Sequence, residues 1–191
     1  ILYGYKQDTI EFYSGFFNTT DPRIGSQMRM DDTLWHHIAY SYDGITLKGY
    51  IDGIEKVSVT TSFSVNPNSS SMILGAATPS AGNVKGSIDE YRVWNIARTA
   101  TEIANSMNAC LNGDETGLVG NWKLNEGKDL TANDETSNSN NGTLINMNAN
   151  TSWKTRSGGC VPVACLFQMT DLVTVTINSP TSGTDTRTEC D

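Results

Sequence analysis

The chain has 191 residues and a formal net charge of −8, from 13 Lys and Arg against 21 Asp and Glu. At 37% apolar and 18% charged residues it is composed like a soluble domain on the polar side, long enough to bury one substantial core. No cluster of Lys or Arg is available to neutralise a row of phosphates, which argues against nucleic acid as a partner. No run approaches the ~18 apolar residues of a membrane-spanning helix, so no membrane insertion is expected. The start lacks an initiator Met, a basic n-region and an apolar h-region, so Ile1 reads as a cut or processed end.

Ile1–Tyr5 and Thr9–Tyr13 read as two short strands joined around Lys6-Gln7-Asp8, and Arg23–Met30 as a third. Trp35–Gly53 then holds two alternating apolar–polar runs with Asp43-Gly44 between them and Asp52-Gly53 at the end. Such alternation marks strands buried on one face, and Asp-Gly at the join predicts a type I′ turn. In the second run Ile45, Leu47 and Ile51 should point one way, and Thr46, Lys48 and Tyr50 the other. Glu55–Val59 continues the sheet. After a polar loop, Met72–Leu74 reads as a brief strand ending at Gly75, and Ala76–Lys85 as a small, nearly uncharged loop.

Gly86–Asn95 carries apolar bulk on both faces, as an inner strand does. Thr99 and Glu102 have the spacing of a capping box, in which the hydroxyl and the carboxylate each satisfy an orphan amide of the first helical turn. A short helix over about Ala100–Asn108 should follow, with Ile103 and Met107 turned to the sheet. Gly117–Leu124 reads as a strand, Asn125–Asn141 as a long acidic, Asn-rich loop, and Thr143–Met147 as a strand ending near Trp153. Ser157-Gly158-Gly159-Cys160 reads as a boundary, Asp171–Asn178 as a β-branched strand and the Ser-Pro-Thr-Ser-Gly-Thr-Asp run after it as linker.

Cys110, Cys160, Cys165 and Cys190 include no Cys-x-x-Cys pair, which disfavours zinc ribbons and thioredoxin-type chemistry. An exported chain would oxidise them, and all three full pairings remain open. Asn18, Asn68, Asn141 and Asn150 each begin a glycosylation sequon.

Trp35-His36-His37-Ile38-Ala39, Tyr42-Asp43-Gly44, Tyr50-Ile51-Asp52-Gly53, Ile73-Leu74-Gly75 and Gly86-Ser87-Ile88-Asp89-Glu90-Tyr91-Arg92-Val93-Trp94-Asn95 follow one another in the order typical of LamG-like, pentraxin-like domains. Glu115-Thr116-Gly117-Leu118-Val119-Gly120-Asn121-Trp122, Asn125-Glu126-Gly127, Asp134, Asn141-Gly142-Thr143-Leu144 and Trp153 extend the resemblance to about residues 1–153. The resemblance implies an all-β, concanavalin A-like jelly-roll sandwich of two antiparallel sheets with one short helix. The expected division is a LamG-like sandwich at 1–155 and, at 156–191, a linker with the start of a following β-rich module. Members of the family begin with roughly forty more residues supplying the first strands, so the chain is expected to be a piece of a larger protein. Pentraxins hold calcium through a carboxylate-rich loop after the Ile-Leu-Gly strand. Here that loop, Ala76–Ser80, has no acid, so pentraxin-style calcium-dependent binding is not expected. The last thirty residues resemble junctions between modules of large secreted bacterial surface proteins.

Laminarinase-type relatives of this fold place nucleophile and acid on one strand as Glu-x-Asp-x-x-Glu, setting carboxylates about 5 Å apart for retaining hydrolysis. No such motif occurs; Asp89 and Glu90 are adjacent, and Glu126, Asp129 and Glu135 fall in the acidic loop. His36 and His37 are neighbours with no Ser or Cys nucleophile motif beside them, so structural roles are expected. Asp134, Asn138 and Asn140, with Asn141, gather oxygen ligands of the kind Ca²⁺ uses, and a structural calcium ion stapling this loop is the one cofactor to consider. Trp35, Trp94 and Trp122 read as core, Tyr3, Tyr5, Tyr13, Phe16 and Phe17 as exposed, and no ligand-binding residues are singled out. The expectation is therefore a module without catalysis, serving binding or adhesion in a large exported, secreted or cell-surface protein. Its partners would be a carbohydrate or protein surface ligand and other domains of the same chain. The alternatives are a carbohydrate-binding module attached to a secreted polysaccharide-degrading enzyme, and a structural spacer.

Overall fold

The computed structural model describes residues 34–60, 72–75 and 86–154 in full, and the backbone of the strands at 2–6, 9–13 and 29–30. The strands run β1 (Leu2–Lys6), β2 (Thr9–Tyr13), β3 (Arg29–Met30), β4 (Ile38–Tyr42), β5 (Thr46–Ile51), β6 (Ile54–Thr60), β7 (Tyr91–Trp94), β8 (Leu118–Trp122), β9 (Thr131–Ala132) and β10 (Gly142–Thr143), with helix α1 (Ala100–Ser106) between β7 and β8. All pairings are antiparallel, in sheets ordered β1-β2-β3, β4-β5-β6, β7-β8 and β10-β9. The all-β reading with one short helix holds.

The core sits on one face of β4-β5-β6. Cross-strand partners share a face, and the register sets Tyr42, Leu47 and Val59 in one row, Tyr40, Gly49 and Val57 in the next, and Ile38 with Ile51 in a third. Leu47, Ile51, Val57 and Val59 are buried, with Ile38, Tyr40 and Tyr42 packed on them. The predicted inward set is right for Leu47 and Ile51 and wrong for Ile45. That residue lies in the turn before β5 and is 66% exposed. Tyr50, on the opposite face, is buried too. Ser41 shares that face, and its hydroxyl donates to Arg98 O at 2.7 Å, so the segment around α1 covers the side away from the core cluster.

The type I′ turn expected at Asp43-Gly44 does not form there; the second Asp-Gly pair makes it instead. Ile51 pairs with Ile54 across Asp52 (φ 52°) and Gly53 (φ 76°), which supplies the positive φ that a type I′ turn needs at both central residues. At the first pair only Gly44 has positive φ, and Asp43 acts through its side chain instead. Its Oδ1 accepts from the backbone of Ile45 (2.9 Å) and Thr46 (2.7 Å), as in an Asx turn.

The capping box forms as read. Thr99 Oγ1 accepts from Glu102 N, and Glu102 Oε2 accepts from Thr99 N at 2.8 Å. The helix ends at Ser106 with Met107 as its cap. Ile103 is buried, and Ala104 and Met107 lie beside Gly53, seating the helix on the β5-β6 turn.

Three other expectations shift. Residues 72–75 form no strand. Gly86–Asn95 is a strand only from Tyr91, because Glu90 takes φ 52° and breaks the alternation. The strand expected at 143–147 shrinks to Gly142–Thr143, and its partner β9 lies inside the segment read as a loop. The expectations for Cys160, Cys165, Cys190, the loop at 76–80, the sequons at Asn18 and Asn68, the tyrosines and phenylalanines near the start, and the module at 156–191 lie outside the described residues.

Gly53 and Gly44 make a paired test. A Cβ on Gly53 would meet Ala104 Cβ at 3.2 Å, whereas one on Gly44 meets nothing within 4 Å. Gly53→Val is expected to cost about 2–4 kcal/mol in chemical denaturation, combining backbone strain with overpacking. Gly44→Ala should cost only the strain, about 1–2 kcal/mol.

Candidate functional site

The segment Thr131–Thr136 folds as an alternating ribbon whose inner face is largely polar. Ala132, Asp134 and Thr136 are buried, while Asp129, Thr131, Asn133 and Glu135 face outward. Gly142 pairs with Ala132 and Thr143 with Thr131, and Leu144 N donates to Leu130 O at 2.8 Å. Trp122 Nε1 donates to Asn140 O at 3.0 Å and Glu135 N to Asn121 O at 2.9 Å, which fastens this ribbon along β8.

Asp134 is the centre of the inner face. Its Oδ1 accepts from Asn121 N (2.9 Å) and Thr136 N (3.0 Å), and its Oδ2 from Thr136 Oγ1 (3.0 Å) and Asn140 N (2.9 Å). Burial alone would raise its carboxyl, but these backbone and hydroxyl donors together hold it below the ordinary carboxylate range. The structure thus brings the loop residues Asp134, Asn138, Asn140 and Asn141 together. Asn138 Nδ2 donates to Val119 O at 3.0 Å, and Asn141 Oδ1 accepts from Asp134 N at 2.9 Å.

The outer face carries a groove of about 410 Å³ lined by Glu126, Lys128, Asp129, Thr131 and Asn133. Its shape is set by backbone bonds: Asn133 N donates to Glu126 Oε1 at 2.6 Å, and Trp153 Nε1 donates to Asp129 O at 3.0 Å. Asp129 itself has φ 66°, a left-handed conformation that Asp tolerates. The groove therefore combines two carboxylates, an ammonium, a hydroxyl and an amide. Sequence reasoning singled out none of these residues as ligand-binding.

Away from the groove, the histidines take structural places. His36 Nδ1 lies 2.7 Å from Asp52 Oδ2, His37 N donates to Asp52 Oδ1 at 2.9 Å, and Asp52 N donates to His37 O at 2.8 Å. One carboxylate thus pins the start of β4 to the β5-β6 turn. Of the tryptophans read as core, Trp122 is buried, with its ring 5.9 Å from that of Tyr91. Trp94 is half-buried under the Arg98 guanidinium at 4.1 Å, and Trp35 is 48% exposed, which removes it from the core. Cys110 is disulfide-bonded. Among the described residues no group of three or more His, Cys, Asp or Glu is arranged to hold a metal ion, and no helix is long and apolar enough to cross a membrane.

The family model of the laminin G type described as the concanavalin A-like lectin/glucanases superfamily matches residues 2–104. The chain belongs to that superfamily. Two solved structures are similar to it. One is residues 221–444 of an S-layer domain-containing protein of Clostridium thermocellum ATCC 27405, at 24% identity and TM-score 0.38 over 41% of each chain. The other is a candidate carbohydrate-binding protein of Bacteroides ovatus ATCC 8483, at 21% identity and TM-score 0.49, covering 74% of this chain and 43% of that one. The chain thus spans less than half the length of either. No curated protein matches the sequence.

Within this fold, His37 gives a pH test. Burial, and then the Arg92 guanidinium, lower its pKa from the ordinary 6.5, while Asp52 opposes them. A depressed folded-state value means that the unfolded chain takes up the proton first, so stability falls as pH drops below 6.5. The melting temperature is expected to decline on going from pH 7 to pH 5, and His37→Gln should flatten that decline when both proteins are melted across the range.

Proposed function

We propose that this chain is a non-catalytic carbohydrate-binding module serving adhesion in a large exported surface protein. The observation that carries the reading is the groove on the outer face of β9-β10. Sugars bind in shallow concavities where hydroxyls meet side-chain oxygens and amides, and C–H faces meet apolar or aromatic surface. Glu126, Asp129, Thr131 and Asn133 offer the first, and the methylene stem of Lys128 the second. Membership of a lectin and glucanase superfamily leaves binding and hydrolysis as the two options. Hydrolysis needs two carboxyl groups facing a scissile bond, one free to donate a proton. The Glu-x-Asp-x-x-Glu strand pattern is missing from the sequence, so binding is the better fit. The disulfide at Cys110 suits an oxidising compartment and hence export.

The test is an array of neutral and acidic glycans followed by calorimetry on the best ligand. Asp129→Asn and Asn133→Ala change groove side chains while sparing the backbone bonds of those residues. Each should weaken the bound glycan by about tenfold, near 1.4 kcal/mol, with the melting temperature unmoved. A glycan that binds both variants as tightly as the parent, or an array with no specific ligand, overturns the assignment.

A further inference from the structure

The loop around Asp134 has the composition of a calcium site, yet its donor set does not fit one. An ionised carboxylate offers about four lone-pair positions. On Asp134 all four are met by N–H or O–H donors, from Asn121 N, Thr136 N, Thr136 Oγ1 and Asn140 N. Calcium would need those oxygens at about 2.3–2.6 Å, together with several more. Two further oxygens of the loop are engaged as well: Asn140 O accepts from Trp122 Nε1, and Asn141 Oδ1 accepts from Asp134 N. Asn138 turns its amide nitrogen, not its oxygen, into the hairpin, towards Val119 O.

We propose that Asp134 is a positioning residue whose buried carboxylate closes this loop in place of a cation, so that the β9-β10 hairpin and its outer groove form without calcium. The polarity of the site is the reverse of a calcium loop. A cation gathers oxygens around itself, whereas here an anion gathers backbone N–H groups, as in an anion-binding nest. The alternation from Thr131 to Thr136 carries the effect outward. With Asp134 and Thr136 locked inward, Thr131 and Asn133 must present their side chains to the groove. The part of the inference that concerns the groove rests on the binding role proposed above; the part that concerns the loop does not.

The experiment compares the parent protein in EDTA and in millimolar CaCl₂ by thermal melting and ¹H–¹⁵N spectra. Neither condition should move the melting temperature or the amide resonances of residues 133–141. A calcium-dependent rise in melting temperature with shifts confined to that loop overturns the proposal. Asp134→Asn then removes the charge and turns an N–H₂ group toward N–H donors. The amides of Asn121, Thr136 and Asn140 should move upfield and exchange at least tenfold faster, calcium should not restore them, and the amides of β5 should keep their protection. Should Asp134→Asn not fold, Thr136→Val removes a single donor to Oδ2, and faster exchange of the Asn140 amide is its expected signature. Unchanged exchange in either variant overturns the proposal. If no glycan binds the parent while these readouts come out as stated, the binding role fails and the loop assignment stands.

Discussion

The element on which the arrangement depends is the guanidinium of Arg92. It donates to Ser106 O at 2.7 Å and Ala109 O at 2.6 Å, and pairs with Glu90 at 2.9 Å, with its side chain only 10% exposed. A helix end leaves carbonyls without partners and carries partial negative charge. The last turn of α1 has no basic residue of its own, so β7 supplies the cation from another element. The helix in turn rests on Gly53 at the β5-β6 turn. One forked side chain therefore joins the β7-β8 pair, the helix and the central sheet. A single ammonium has no comparable planar set of donors. The arrangement also sets local electrostatics. Burial raises the Glu90 carboxyl against the pull of Arg92, and the same guanidinium helps keep His37 neutral. Breaking such a pair costs more than the pair contributes, because the remaining charge stays buried.

Two kinds of strand hold the molecule, and they differ in what their inner faces contain. β5 buries Leu47 and Ile51 on one side and Tyr50 on the other, so area removed from water drives its position. The β9 ribbon buries Ala132, Asp134 and Thr136, and hydrogen bonds to a carboxylate do the positioning. The first kind tolerates exchange among apolar residues of similar volume. The second depends on one charged residue whose donors would be left unpaired without it.

That difference explains what could be read from the sequence. The central meander and the Thr99–Glu102 capping box announce themselves by apolar period and cap chemistry, and both occur where expected. The type I′ turn expected at Asp43-Gly44 forms instead at Asp52-Gly53, while Asp43 uses its side chain as an Asx acceptor. Dipeptide identity alone does not choose between those two outcomes, since Asp supports both. Glu90 looks like one more alternating residue, and only its left-handed φ shows that β7 begins after it. β9 stayed hidden because it is two residues long with Ala132 as its one buried position, and the buried residues that follow it are Asp134 and Thr136, which hydrophobic periodicity cannot register. Asp134 drew attention as a metal ligand for the same residue types that let it serve as an internal acceptor.

The groove was hidden for a related reason. Asp129, Thr131 and Asn133 in a polar segment look the same whether they wave in solvent or line a binding surface. What separates the two cases is a fixed side for each residue, and that information sits in their buried neighbours. Asp134 and Thr136 face in, so the residues between and before them face out, held on backbone bonds from Asn133 to Glu126 and from Trp153 to Asp129. A surface built this way can change its outward side chains without touching the core of β4-β5-β6. Beneath it the Asp134 carboxylate accepts from four donors.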